Sequence, residues 1–284
     1  MVINYLKKYL TRNQLPRITE EFIQDIEKNA KQGEYKIEID GLNLAIAPYV
    51  FPPNPMFSRS FNLDKSIGDV KGKHVLDMGT GSGYLAIKAY NAGAKSVEAV
   101  DINEETLRCA CENFQKNKDP KRAGEIYIYQ SDLFSNITWP RIFMTVYPRI
   151  LSPNCFGIFP GYYSNVNEKS YFARELDPYP GFDKRFDLII ANLPIVNYPC
   201  KDERFLTLLD PDFNIHKRFF SEAGNYLKED GRIIMTHADL QGKRSFEKLE
   251  NLAKENEFIY TIKNSINELG YEWRTYEFRK NEKS

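Results

Sequence analysis

Three carboxylates and a run of glycines are the residues of this chain whose types and spacing could do chemistry. Val75-Leu76-Asp77-Met78-Gly79-Thr80-Gly81-Ser82-Gly83-Tyr84 sets glycines at alternate positions directly after an apolar run. Such glycines let the backbone turn tightly and let a ligand approach where a Cβ would otherwise stand. A dinucleotide fingerprint, Gly-x-Gly-x-x-Gly, would need glycine where Tyr84 stands, and no Gly-Lys-Ser/Thr of a phosphate-binding loop follows. Asp77, ahead of Gly79, would repel a pyrophosphate and favour an ammonium. The loop Gly79, Thr80, Gly81, Ser82, Gly83 therefore suits a positively charged nucleoside without phosphates. Asp101 ends the run Val97–Val100, with Ile102 beside it, and an acid at such a strand tip can accept both ribose hydroxyls. Asp132, in Gln130-Ser131-Asp132-Leu133-Phe134, can accept from the exocyclic amine of an adenine while the Leu133 N–H serves a ring nitrogen. Each acid alone could be a loop-tip or N-cap residue. Three at successive strand ends, in order after a glycine loop, point to one ligand.

The elements that must position these residues are legible from residue 74 onward. Apolar runs at 74–78, 96–100, 126–129, 186–191 and 232–237 alternate with helical segments at 84–92, 104–116 and 213–227. That alternation implies βαβ units and a parallel sheet covered on both faces, which binds ligands beyond the carboxyl ends of its strands. A helix at 243–255 precedes two further strands, 257–263 and 273–278. Upstream, Ile18–Ile26 has helical spacing, Tyr35–Asp40 alternates as a strand does, and Gly41 turns it. Phe51-Pro52-Pro53-Asn54-Pro55 cannot be helix and leads to a domain boundary. The expected division is an N-terminal region 1–69 and a larger domain 70–284, the latter carrying an aromatic and Pro-rich insertion at about 137–183. Long connections of this kind are often functional, and a substrate-covering role is expected for it.

On these residues the chain resembles the class I S-adenosylmethionine-dependent methyltransferases over most of its length after residue 70. The resemblance implies a Rossmann-like seven-stranded sheet, mostly parallel, with a reversed last hairpin and helices on both faces. It also implies S-adenosylmethionine as cofactor and S-adenosylhomocysteine as product, with Asp77, Asp101 and Asp132 at the ligand positions for methionine, ribose and adenine. Asn192-Leu193-Pro194-Ile195, which ends the run 186–191, is similar to the Asn-Pro-Pro-Tyr motif of enzymes that methylate glutamine amides or the exocyclic amine of adenine. In that motif the Asn192 side chain and the Leu193 carbonyl would accept from an –NH₂ and align its lone pair with the methyl group, with Pro194 shaping the loop. Ile195 departs from the pattern, which has an aromatic there; Tyr198 is the nearest ring that could replace it.

Composition bounds the acceptor. Lys+Arg and Asp+Glu both total 39, so no global field draws in nucleic acid or anionic lipid. The short basic patch Lys7, Lys8, Arg12, Arg17 suits a solvated helix face. A protein glutamine or small amine is therefore expected ahead of nucleic acid. The alternatives are a small-molecule O- or C-methyltransferase, for which His237 is the only ready base, and a non-catalytic cofactor-binding module. Four cysteines and three histidines show no metal-ligand spacing and are too few for a disulfide framework. No run approaches the roughly 20 apolar residues of a membrane span, and no signal peptide is evident. A soluble, cytoplasmic protein is expected.

Overall fold

The computed structural model describes residues 31, 33–50, 52–53, 60–137, 185–199, 209–240, 244–268 and 271–281. The helix expected at Ile18–Ile26, the basic patch and the insertion beyond Ile137 lie outside the described residues.

A hairpin opens the described chain: β1 (Tyr35–Ile39) pairs antiparallel with β2 (Leu42–Ile46). Asp40 and Gly41 both take positive φ, 52° and 75°, the twist a two-residue turn needs to return a strand beside itself. Next come α1 (Ser60–Ile67), β3 (His74–Met78), α2 (Tyr84–Asn91), β4 (Ser96–Asp101), α3 (Glu104–Asn117) and β5 (Glu125–Gln130). After β6 (Phe186–Ala191) follow α4 (Asn214–Ala223), β7 (Leu227–Ala238), α5 (Arg244–Glu255), β8 (Phe258–Glu268) and β9 (Tyr271–Lys280). Seven strands form one sheet in the order β5-β4-β3-β6-β7-β9-β8. β9 runs antiparallel to both its neighbours, and the other pairings are parallel.

The chain leaves β3 toward β5 and then returns to the other side of β3 at β6. Ligands of open α/β sheets bind at that reversal, beyond the carboxyl ends of the strands. Strand parity builds the two layers around it. Val75, Val97, Ala99, Leu188, Ile190 and Ile234 face α2 and the hairpin. Leu76, Val100, Ile189, Ala191, Ile233 and Met235 face the other way, against Phe219 and Phe220 of α4 and Phe246 and Leu249 of α5. Both faces are therefore buried, which is why these strands read as continuous apolar runs.

Several elements differ from the sequence expectation, among them β2, α1 and the bounds of β7 and β8. α1 stands where a connection was expected, and its Leu63 and Ile67 join the hairpin's Leu42, Leu44 and Ile46 in the core beneath β3. Eight residues give too little periodicity to announce a helix, and tertiary packing holds it instead; the Arg232 guanidinium donates to the Ile67 carbonyl at 2.5 Å near its end. β7 begins at Leu227, through the polar run Lys228-Glu229-Asp230-Gly231, well before the expected start at Arg232. A Cβ at Gly231 would stand 2.8 Å from both the Phe186 carbonyl oxygen and Leu227 Cγ, so the irregular β6–β7 pairing there requires glycine. Among the described cysteines, Cys109 is a free buried thiol, and Cys111 is buried on another face of α3. No helix of the described residues is long and apolar enough to cross a membrane, and they contain no group of three or more side chains arranged to hold a metal.

Candidate functional site

The glycine loop joins β3 to α2 at the reversal point. Gly79, Gly81 and Gly83 all have positive φ, between 55° and 80°. The Thr80 N–H donates to the Val100 carbonyl at 2.8 Å and ties the loop to β4. No atom lies within 4 Å of where a Cβ of Gly79 would stand, so the backbone there fronts open space. Gly83 is different. Its Cβ would meet Ala110 Cβ at 3.2 Å, so α3 packs directly under the end of the loop.

Asp77 points to the α2 face of the sheet, as Val75 does, and is 1% exposed. One of its oxygens accepts from Thr80 Oγ1 at 2.7 Å and from the Ala86 N–H at 3.1 Å. Gly83, the N-cap of α2, has no side chain to satisfy the first helical N–H groups, and Asp77 does so from the preceding strand. Burial pushes its carboxyl up to about 7; the bonds from Thr80 and Ala86 oppose this, and the neighbouring Asp101 charge adds to it.

Asp101 ends β4, also buried. Its oxygens accept from the Gly81 N–H and the Asn103 N–H, each at 3.0 Å. Burial raises its pKa, against the backbone N–H groups of Asn103, Gly81 and Ile102. The bond to Gly81 brings the ribose candidate and the glycine loop together as one unit. Ile102 beside it is 41% exposed, an apolar face open to a flat ring. Asp132, after β5, is half-exposed, and one of its oxygens accepts from the Arg218 guanidinium of α4 at 2.9 Å. Leu133 holds a positive φ of 50° and buries its side chain in the core, while the Ser131 hydroxyl donates to its carbonyl at 2.6 Å.

Asn192 follows β6, the strand beside β3. Its Nδ2 donates to Ser60 Oγ, the first residue of α1, at 3.0 Å. Leu193 is buried in the core shared with Phe134 and Phe213. Ile195 and Val196 pack against Ala238, Leu240, Tyr271 and Trp273. The residue that replaces the motif's aromatic therefore anchors the loop. Val196 also pairs with Leu209, and the Asp210 N–H donates to its carbonyl at 2.8 Å.

His237 lies in a closed cluster beneath this loop. It is fully buried, its Nε2 bonds Ser245 Oγ at 2.7 Å, and it meets the rings of Phe213 and His216 edge-on. Burial, aided by His216, lowers its pKa well below the usual imidazole range. His216 in turn bonds Asp210 at 2.6 Å, both without exposure. A general base must reach the proton it removes, and His237 as folded reaches none outside the core.

Sequence reasoning missed Ser60, Arg218, Asn113 and Asn117. The first two meet their partners across 132 and 86 residues, which no local pattern announces. The asparagine pair left a signal. Asn is a poor helix former, and two of them four apart inside a helix invite a search for partners. The open backbone at Gly79, the acids at three strand ends and the exposed Ile102 together fit a phosphate-free nucleoside that carries an amino acid on its sugar. Each acid already has partners within the protein: Thr80 and Ala86 on Asp77, Gly81 and Asn103 on Asp101, and Arg218 on Asp132.

The ribosomal protein L11 methyltransferase family (PrmA) matches residues 62–174, and the rRNA (uridine-N3-)-methyltransferase BTM5-like family matches residues 173–280. A protein of Methanocaldococcus jannaschii, named provisionally as a protein N5-glutamine methyltransferase, is 28% identical over 241 residues, covering 82% of this chain and 95% of its own. A ribosomal protein L11 methyltransferase of Thermotoga neapolitana is 42% identical over 67 residues, 24% of either chain. The fold matches a crystal structure described as a methyltransferase in complex with S-adenosylhomocysteine, with a TM-score of 0.51 and 14% identity, over 86% of this chain and 56% of that one. Together with the strand order and the loop at its reversal, these likenesses make the chain a class I S-adenosylmethionine-dependent methyltransferase.

Proposed function

We propose that the chain transfers a methyl group to the nitrogen of a planar acceptor, with a protein glutamine amide as the favoured class. The observation that carries this reading is the placement of Asn192 at the end of β6, beside the glycine loop, with its amide nitrogen donating to Ser60. That bond sets the direction of the amide plane, and Oδ1 is the atom whose chemistry suits an incoming –NH₂. The Leu193 carbonyl, on a residue locked in the core, is the second acceptor. Two acceptors of fixed direction hold both hydrogens of an amide or amine and favour the charge that develops on its nitrogen. The cofactor, when bound, supplies an electrophilic methyl group on a sulfonium.

The remaining residues take the binding roles that their positions suit. Asp101 accepts from the ribose, Ile102 covers one face of the adenine, and Asp132 with the Leu133 N–H reads its edge. Gly79, Thr80, Gly81, Ser82 and Gly83 line the path of the methionine, with Asp77 toward its ammonium. Ile195, packed against Ala238, Leu240, Tyr271 and Trp273, withholds the stacking face that the motif's aromatic offers, so the planar acceptor is held through its hydrogen bonds to Asn192 and Leu193. The provisional name of the Methanocaldococcus jannaschii relative supports the same class. The burial of His237 weighs against a hydroxyl acceptor activated by it.

The test is to incubate the protein with labelled S-adenosylmethionine and a cell extract. The label is expected in protease-sensitive material that releases methylamine on alkaline hydrolysis. Label that is sensitive to ribonuclease would move the acceptor to nucleic acid, and release of methanol would move it to an oxygen.

A further inference from the structure

The outer edge of β2 meets a helix in place of another strand. Asn43 and Ala45 turn their N–H and C=O groups outward, and α3 answers with two side-chain amides. Asn117 accepts from the Asn43 N–H at 2.8 Å and donates to its carbonyl at 2.9 Å. Asn113 does the same for Ala45, at 2.7 Å in both directions. The spacing makes this possible: four helical residues rise roughly 6 Å, close to the roughly 6.6 Å of two strand residues. The helix thus imitates a neighbouring strand and covers an edge that would otherwise be open.

The two amides differ in their third bond. The remaining N–H of Asn117 goes to the Asn113 carbonyl, within its own helix, at 2.7 Å. Asn113 instead donates to the carbonyl of Ser82, in the glycine loop, at 2.8 Å. Asn113 has no exposure, and both its donors and its oxygen are used. The chain leaving β2 touches the same loop, with Val50 3.6 Å from where a Cβ of Gly81 would stand.

We infer that Asn113 is a positioning residue for the cofactor: it ties the Ser82–Gly83 peptide to the N-terminal hairpin, so that docking of the hairpin and affinity for the cofactor are coupled. This rests on the reading of residues 79–83 as the cofactor loop. Among the hydrogen bonds of the described residues, no other side chain of α3 joins β2 to the loop. Asn117, which holds the hairpin alone, is the internal control.

The experiment measures S-adenosylhomocysteine binding by calorimetry, and melting temperature, for the full chain and its Asn113→Ala and Asn117→Ala variants. Both variants are expected to melt lower, since each frees a pair of backbone groups. Asn113→Ala should raise the Kd about tenfold, the loss of about one buried hydrogen bond, while Asn117→Ala stays within about twofold of the parent. If Asn113→Ala does not fold, Asn113→Ser, whose hydroxyl is too short to serve both partners, takes its place with the same expectation. Parental affinity in the Asn113 variant, or an equal loss in both, would overturn the inference. A parent chain that does not bind S-adenosylhomocysteine at all would overturn the cofactor reading beneath it, a result distinguishable from either.

Discussion

Replacing Asp77 with asparagine should stabilise the protein at neutral pH and above, although Asp77 holds the loop together. The carboxyl is buried, with a pKa pushed up to about 7 against an unperturbed 3.8. A folded-state pKa above the unfolded one means that the native state binds the proton more tightly. Stability from this group is therefore fully present below about pH 4 and is lost as pH rises toward 7. Three units at roughly 1.4 kcal/mol each set a ceiling of about 4 kcal/mol on the loss, with roughly 1.5 kcal/mol of it already felt at pH 5. Asparagine keeps an oxygen to accept from Thr80 Oγ1 and the Ala86 N–H and carries no charge. Urea unfolding of the parent and Asp77→Asn between pH 5 and 8 should show the two diverging as pH rises, the variant being the more stable. Parallel curves would refute the argument. The same charge should matter in the opposite sense for binding. If an ammonium meets Asp77, parental affinity for S-adenosylhomocysteine rises between pH 6 and 8, and Asp77→Asn flattens the profile and weakens binding. A variant that is both more stable and fully competent in binding would leave Asp77 as a helix cap alone.

Three further outcomes are expected. S-adenosylhomocysteine at about 100 times its Kd should add roughly 2.7 kcal/mol to the stability, NAD should add nothing, and Asp101→Ala should abolish most of the gain; thermal shift measures all three. Asn192→Ala should lower turnover by about 10²–10³ with S-adenosylhomocysteine affinity nearly unchanged. Asn192→Asp, which keeps an acceptor oxygen, should retain more activity than the alanine variant, and equal, near-normal turnover in both would make Asn192 a loop cap. Asp210→Ala removes the hydrogen-bond partner of the buried His216 imidazole and the acceptor of the Ile215 N–H, and chemical denaturation should show a cost of about 1–3 kcal/mol for each group left unpaired.

The sequence by itself determined the sheet, the loop and the order of the acids. Apolar runs of strand length alternate with helical periods, and each such pattern lies within a window of a few residues, where local conformation is decided. Glycines at 79, 81 and 83 announced the backbone conformations later found there, and Asp77, Asp101 and Asp132 stood at strand ends as soon as the strands were drawn. Ser60 against Asn192, Arg218 against Asp132 and Asn113 against Ser82 and Ala45 were decided only by the tertiary structure. Each joins elements that topology brings together from distant parts of the chain, and a side chain's period says which face it occupies, not what lies opposite. The same holds for Ile195, legible as a departure from a motif but not as an anchor until the β9 strand that receives it, with Tyr271 and Trp273, was in place. It holds also for His237, which looks like a base from its position at a strand end and proves to be core, because Phe213 and His216 close over it.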